Sequence, residues 1–383
     1  MTSIYFDHAA TTAMDPEVIS AYVAAANNGP GNPSSLHALG RSAREQIAAA
    51  RDCFAEILNC QASEIVFTGS GTESDNSALF GAAHAQLKRG RKGIVTTAVE
   101  HHAVLHACRQ LEAQGFSLTV LPVDEFGRVA LEDAKAAIND TTAVVSIMAG
   151  NNETGTLQPI AEIGEWARKH KALMHVDAVQ AFGYTPFDLG QLPIDFLSLS
   201  AHKINGPQGV GLLYIRKGSP YQPMLFGGSQ ERNRRAGTEN VAGIVAFAKA
   251  AQLASEKLQI RREHAEMMRT ALLEGLAEQL GADHFVLNGH LEYRLPHILN
   301  VSFIGLSSES MLMNLDLEGV AASGGSACTS GSLKPSHVLS AMNFSSERLL
   351  SAVRFSFGLG NTREEADKTA KITATISARL RNR

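Results

Sequence analysis

The stretch TAVVSIMAGNNETGTLQPIAEIGEWARKHKALMHVDA, residues 142–178, decides the fold. Its opening TAVVSIMAG (142–150) is nearly all apolar and rich in β-branched residues, which reads as a strand buried on both faces. IAEIGEWARKHK (160–171) spaces its apolar residues at helical intervals, with charges between them. ALMHVDA (172–178) returns as a second buried strand. Strand, helix and strand in this order form a βαβ unit, and two parallel strands are expected.

The same alternation extends both ways. Upstream, EIVFTGS (64–70), GIVTTA (93–98) and FSLTVLPV (116–123) read as strands. Between them, 72–90 and 102–115 read as helices closed by Gly90 and Gly115. Downstream, DFLSLSAHK (195–203) and GVGLLYIRK (209–217) add two more strands. An α/β fold with a mainly parallel sheet follows, and ligands of such sheets gather beyond the carboxyl ends of the strands. The texture changes near residue 250. Residues 247–281 read as one long helix. A strand at 297–304, a helix at 307–317, a Gly/Ser-rich loop at 323–332, a strand at 352–358 and a last helix from about 362 follow. This predicts a large α/β domain over 15–250 and a smaller α+β domain built from 1–14 and 251–383.

Composition narrows the function classes. With 44% hydrophobic and 19% charged residues, the 383-residue chain has the balance of a packed globule rather than a disordered one. A net charge of −4 argues against nucleic-acid binding by bulk electrostatics. No apolar run approaches the roughly 20 residues of a membrane span. The start MTSIYFDHAATT lacks a secretion signal, so a cytoplasmic chain is expected. Four cysteines without a CxxC pair predict no disulfide framework. Cys53 and Cys60, seven apart, read as core residues on one helix face.

Residues able to carry chemistry fall at successive strand ends. Lys203, in SAHK (200–203), follows an apolar strand and precedes a Gly/Pro loop. Alone, it reads more ordinarily as a solvated lysine; in a cleft, its amine can form a Schiff base with an aldehyde cofactor. Asp177 closes the strand at 172–178, with Gln180 three residues on. It suits either a helix cap or an anion opposite a pyridine nitrogen. Thr68-Gly69-Ser70-Gly71-Thr72-Glu73-Ser74 is a glycine-rich strand-to-helix turn fit for phosphate, although it matches neither GxGxxG nor the P-loop. His101 and His102 follow another strand, where an imidazole can stack on a ring and exchange protons. His102 and His106 are helically spaced, but nothing completes a metal set, and no metal is expected. Cys328 sits among Gly and Ser in SGGSACTSGS (323–332), where an accessible thiolate would be nucleophilic and the loop free to move. Asn152, in NNETG (151–155), offers an amide at the same sheet edge. Arg354 suits a bidentate grip on a carboxylate, and alone reads as a surface salt bridge.

Taken together, FDHAATT (6–12), GNPSSLHALG (31–40), FTGSGTESDN (67–76), EHHAVL (100–105), NNETG (151–155), HVDAVQ (175–180), SLSAHKINGPQGVG (198–211), GTEN (237–240) and GSACTSGSLKPSHVL (325–339) resemble the motif series of NifS/IscS-type cysteine desulfurases. These are class V aminotransferase-group enzymes with the aspartate-aminotransferase-like fold (fold type I) and pyridoxal 5′-phosphate as cofactor. The resemblance implies a Schiff base on Lys203, Asp177 at the pyridine nitrogen and Gln180 at the ring oxygen. It implies phosphate contacts from Gly71, Thr72, Ser200 and His202, with Thr238 added from the other subunit of a homodimer. His101 would stack on the ring, Asn152 and Arg354 would hold the substrate carboxylate, and Cys328 would accept sulfur from L-cysteine as a persulfide. The partner would be a sulfur-acceptor protein, an iron–sulfur scaffold or a tRNA-thiolating enzyme. The GSACTS loop is similar to the first subgroup and not to the RxGHHCA-type second. Selenocysteine lyase, or another class V reaction, is the alternative.

Overall fold

The computed structural model describes residues 3–324 and 335–382. Its centre is a seven-stranded sheet in the order Ile65–Thr68, Gly211–Ile215, Phe196–Ser200, Leu173–Asp177, Thr142–Met148, Gly93–Thr97, Ser117–Leu121. Gly211–Ile215 pairs antiparallel with both of its neighbours, and the remaining pairings are parallel. The strands from Leu173–Asp177 and Thr142–Met148 are buried along their whole length. That explains their unbroken apolar runs: helices cover both faces, so no position faces water. Ser117–Leu121 is largely exposed because it forms the sheet edge.

A second, antiparallel sheet orders Ala352–Ser356, Ile298–Ser302 and Val286–Asn288. Ile4–Tyr5 pairs parallel with Val320–Ala321. Ile4 and Phe6 join a buried apolar cluster whose other members lie between Met268 and Ile376. The chain then crosses to the large sheet, where the Thr12 hydroxyl donates to the His202 carbonyl at 2.7 Å and accepts from the Asn205 N–H at 2.8 Å. A segment with few large apolar residues is thereby fixed between two packed units.

Two expectations are corrected. The helix expected over 247–281 is two, Val241–Glu256 and Leu258–Leu280, broken at Lys257. The break lets the chain change partners: the first helix packs on Pro16–Asn27 and Ala38–Leu58, the second on Arg363–Arg381. Periodicity cannot register this, because buried residues recur at helical spacing on both sides of the break, as at Ile244, Phe247 and Ala251 before it and Arg261, Ala265 and Met268 after it. Cys60 is not helical. Its helix ends at Leu58 with Asn59 in the left-handed conformation (φ 50°), and both Cys53 and Cys60 are half-buried against the large core.

Glu231, Arg232 and Asn233 all take positive φ (45°, 56° and 61°). Non-glycine residues pay roughly 1–2 kcal/mol each for this geometry, so something must hold them. Arg51 does, through two 2.8 Å hydrogen bonds to the Glu231 carboxylate, which also accepts the Phe67 N–H at 3.1 Å. Both side chains of the pair are nearly water-free. Glu231→Gln strands the buried guanidinium, and a loss of about 3 kcal/mol is expected. A denaturant midpoint unchanged from wild type would refute this clamp.

Candidate active site

Strand ends converge on a cavity of about 230 Å³ at the carboxyl side of the parallel sheet. It collects Gly71, Thr72, His101, Asn152, Asp177, Gln180, Ser200, His202, Lys203 and Arg354. Sequence positions 71 to 354 meet there because each follows a strand or, like Asp177, Ser200 and Arg354, lies in one. Thr238 is exposed and lies outside this cavity. Cys328 lies outside the described residues.

Lys203 closes a short 3-10 turn, Ala201–Lys203, directly after Phe196–Ser200. Its Nζ donates to the Ala9 and Ala10 carbonyls at 2.6 and 2.7 Å. The amine is thus held at the cavity wall by backbone carbonyls rather than dispersed in solvent. Asp177 ends its strand 5% exposed, and its Oδ1 accepts the Val179 N–H at 2.9 Å. That bond caps a turn, not a helix. Burial, reinforced by the Asp75 carboxylate, pushes Asp177 up to about 7. Gln180 donates to the Ala9 carbonyl at 2.8 Å, and its Oε1 lies 3.4 Å from His297 Nε2.

At one end of the cavity stands the N-terminus of helix Gly71–Leu87. First-turn N–H groups have no acceptor inside a helix, and the dipole there favours an anion. Gly71 is required by close approach: a Cβ would lie 2.8 Å from Val179 Cγ2. His202 hydrogen-bonds Thr11 Oγ1 at 3.1 Å. His101 caps helix His102–Ala113 by accepting the Ala103 N–H at 3.2 Å. Burial and the nearby Lys203 charge push His101 down to about 4; burial does the same to His202. Both imidazoles are therefore neutral at pH 7.

Arg354 is only 1% exposed, so the surface salt bridge is corrected. Its partner Asp7 is real, at 2.9 Å from Nη2, but the pair is built into the cavity wall, with Nη1 donating to the Asn152 carbonyl at 2.8 Å. Nε has no hydrogen-bond partner among the described residues. A desolvated guanidinium with a donor to spare is suited to an incoming carboxylate.

Five contributors escaped the sequence reading. Ala9 and Ala10 act through carbonyls, which leave no residue-type signal. Asp75 and Glu153 line the cavity as buried acids. His337, which hydrogen-bonds the Glu100 carbonyl at 2.9 Å, lines it too. Asp75 was legible as a carboxylate one turn into a helix, on the face that holds Gly71, Ser74 and Ala78.

Residues 4–369 match the family model described as Aminotransferase class-V. The chain belongs to the class V aminotransferase family. A Bacillus subtilis relative is 49% identical over 381 residues, covering 99% of this chain and all of its own length. A Methanosarcina thermophila relative named cysteine desulfurase IscS is 46% identical over 99% of this chain and 93% of its own. Among solved structures, a NifS-like protein superposes with a TM-score of 0.92 at 38% identity, covering 99% of this chain and all of that one. SspA in complex with cysteine gives 0.81 at 32% identity, over 93% and 99%.

Class V aminotransferases of this desulfurase group depend on pyridoxal 5′-phosphate, and the cavity's donor set fits it. A helix N-terminus with Gly71, Thr72, Ser200 and His202 suits the phosphate. A buried carboxyl suits a ring nitrogen, and an amine lines the same cavity.

Proposed function

We propose that this chain is a cysteine desulfurase: it takes sulfur from L-cysteine, releases L-alanine and keeps the sulfur as a persulfide on Cys328. The observation that carries the reading is one cavity holding an amine (Lys203), a buried carboxyl (Asp177) and a buried guanidinium (Arg354). When bound, pyridoxal phosphate supplies an electron sink for bonds at the substrate α-carbon. Gly71, Thr72, Ser200 and His202 hold its phosphate, Asp177 its ring nitrogen and Gln180 its ring oxygen. Lys203 anchors it covalently.

Arg354, already fixed by Asp7 and Asn152, turns its remaining donors to the substrate carboxylate. Lys203 would take the substrate α-proton. His101, neutral at pH 7, accepts and returns a proton beside it. The Cys328 thiolate attacks the substrate sulfur. A sulfur–sulfur bond forms and the carbon–sulfur bond breaks; the electron pair stays on carbon and takes a proton, giving the methyl group of alanine.

A homodimer is part of this reading, with Thr238 of one chain completing the phosphate site of the other. So are a cytoplasmic setting and transfer of the persulfide sulfur to an acceptor protein of iron–sulfur cluster assembly or tRNA thiolation. The test is direct: purified chain, cofactor and L-cysteine should give alanine and, before any acceptor is added, one persulfide sulfur per Cys328. A keto acid in place of alanine would mark an ordinary transaminase. Arg354→Lys keeps the charge but loses the planar fork, so the KM for cysteine is expected to rise about tenfold or more, with a smaller change in kcat. An unaltered KM with lowered thermal stability alone would reduce Arg354 to a partner of Asp7.

A further inference from the structure

Helix Gly71–Leu87 packs against strands Leu173–Asp177 and Phe196–Ser200 and brings a second carboxyl, Asp75, to the cavity that Asp177 lines. Behind the two acids lies a chain of polar groups from three adjacent strands. Ser146 Oγ is 2.8 Å from His175 Nδ1, and His175 Nε2 is 3.0 Å from Ser198 Oγ. Asp75 Oδ1 stands 3.5 Å from the same Nε2. None of Asp75, Ser146, His175 and Ser198 is more than 1% exposed.

Both carboxyls are buried in the lining of one cavity and the charge of Asp75 acts on Asp177, an arrangement that opposes ionising both and favours one retained proton. Burial pushes each of them up to about 7. The surroundings decide which one holds the proton. Asp177 accepts a backbone N–H, a partner that can only donate and so favours the anion, and the Lys203 charge acts on it. Asp75 is raised chiefly by burial, which a hydrogen bond from Ser198 offsets only in part, and beside it stands an imidazole that burial keeps neutral, His175, which is pushed down to about 4. Its Oδ1 has no hydrogen-bond partner among the described residues. The other titratable neighbour is Glu100, fully buried and held well above the usual carboxylate range, partly by these two charges.

We propose that Asp75 is a positioning residue that keeps the proton of this pair, leaving Asp177 as the anion that faces the cofactor's ring nitrogen. The inference rests on the pyridoxal-phosphate reading above. The Ser146–His175–Ser198 chain gives the Asp75 acid its setting, since each hydroxyl can donate or accept as the acid requires.

Asp75→Asn tests it, because asparagine has the shape of the protonated acid and cannot ionise. Two readouts are taken. The first is the wild-type-minus-variant infrared difference spectrum of holoenzyme in deuterated buffer near neutral pH. The second is cofactor affinity, measured by titrating pyridoxal phosphate into apoenzyme. The expected result is loss of one protonated-carboxyl band with affinity kept within about threefold, while Asp177→Asn weakens affinity at least about tenfold. A carbonyl region unchanged by Asp75→Asn overturns the proposal. So does a loss of affinity matching that of Asp177→Asn, since it would mean the Asp75 charge is used. Failure of wild-type apoenzyme to take up the cofactor overturns the functional reading itself, and the proton assignment with it.

Discussion

Lys203→Ala is expected to yield a folded chain that forms no covalent cofactor adduct and makes alanine at least about 10²–10⁴-fold more slowly. The size follows from losing two roles at once, the covalent anchor and the base at the α-carbon. Borohydride treatment followed by peptide mass analysis reads the first role. Wild type should carry a phosphopyridoxyl group on the peptide containing Lys203, and the variant none on any lysine. The structural cost is separable. Lys203 Nζ donates to Ala9 and Ala10 at 2.6 and 2.7 Å, so its removal takes the donor from the Ala10 carbonyl, while the Ala9 carbonyl keeps Gln180 at 2.8 Å. About 1–3 kcal/mol of stability is at stake there. Lys203→Gln restores a donor without an amine able to form the adduct. It should recover stability and no activity. A reduced adduct persisting on either variant would move the anchor to another lysine.

The fold was legible wherever burial imposes a continuous apolar run. Leu173–Asp177 and Thr142–Met148 are such strands, and both carry site residues at or just past their ends. Lys203, Asp177 and Gly71 were legible as strand-end residues that gather in one cavity, although Lys203 alone read as a solvated lysine and Asp177 equally as a helix cap. What escaped depends on tertiary placement. Lys257 has no feature that marks it as a helix break; the break exists because the flanking helices pack on different partners. Arg354 looked like a surface residue because a strand arginine reads the same in water and in a wall; its strand is buried throughout, and its partner Asp7 is 347 positions away in sequence. Ala9 and Ala10 were beyond reach, since their contribution is the carbonyl that every residue has. The neutral state of His101 and His202 likewise comes from burial by segments distant in sequence.

Cys328→Ala should retain the yellow cofactor and still bind cysteine, yet release alanine at least about 10²-fold more slowly than wild type, with no protein persulfide. The argument turns on the other thiols. Persulfide formation needs a thiolate, and the thiolate fraction falls tenfold for each unit by which pKa exceeds pH. Burial pushes Cys60 and Cys108 up to about 12, and raises Cys53 as well. At pH 7 the first two hold about one thiolate in 10⁵. Cys108 is also sealed within helix His102–Ala113, against the sheet, while Cys53 and Cys60 pack on the large core. None of the three lines the cavity. None can therefore stand in for Cys328, and the loss should be nearly complete rather than partial. Cys328→Ser keeps the size and polarity of the side chain but lacks the thiolate, so it should fail to the same degree. Triple replacement of Cys53, Cys60 and Cys108 by alanine or serine should leave persulfide yield near wild type. Persulfide sulfur appearing on a peptide other than the one containing Cys328, or alanine formed at the normal rate by Cys328→Ala, would remove that residue from the reaction and leave the cavity to a different chemistry.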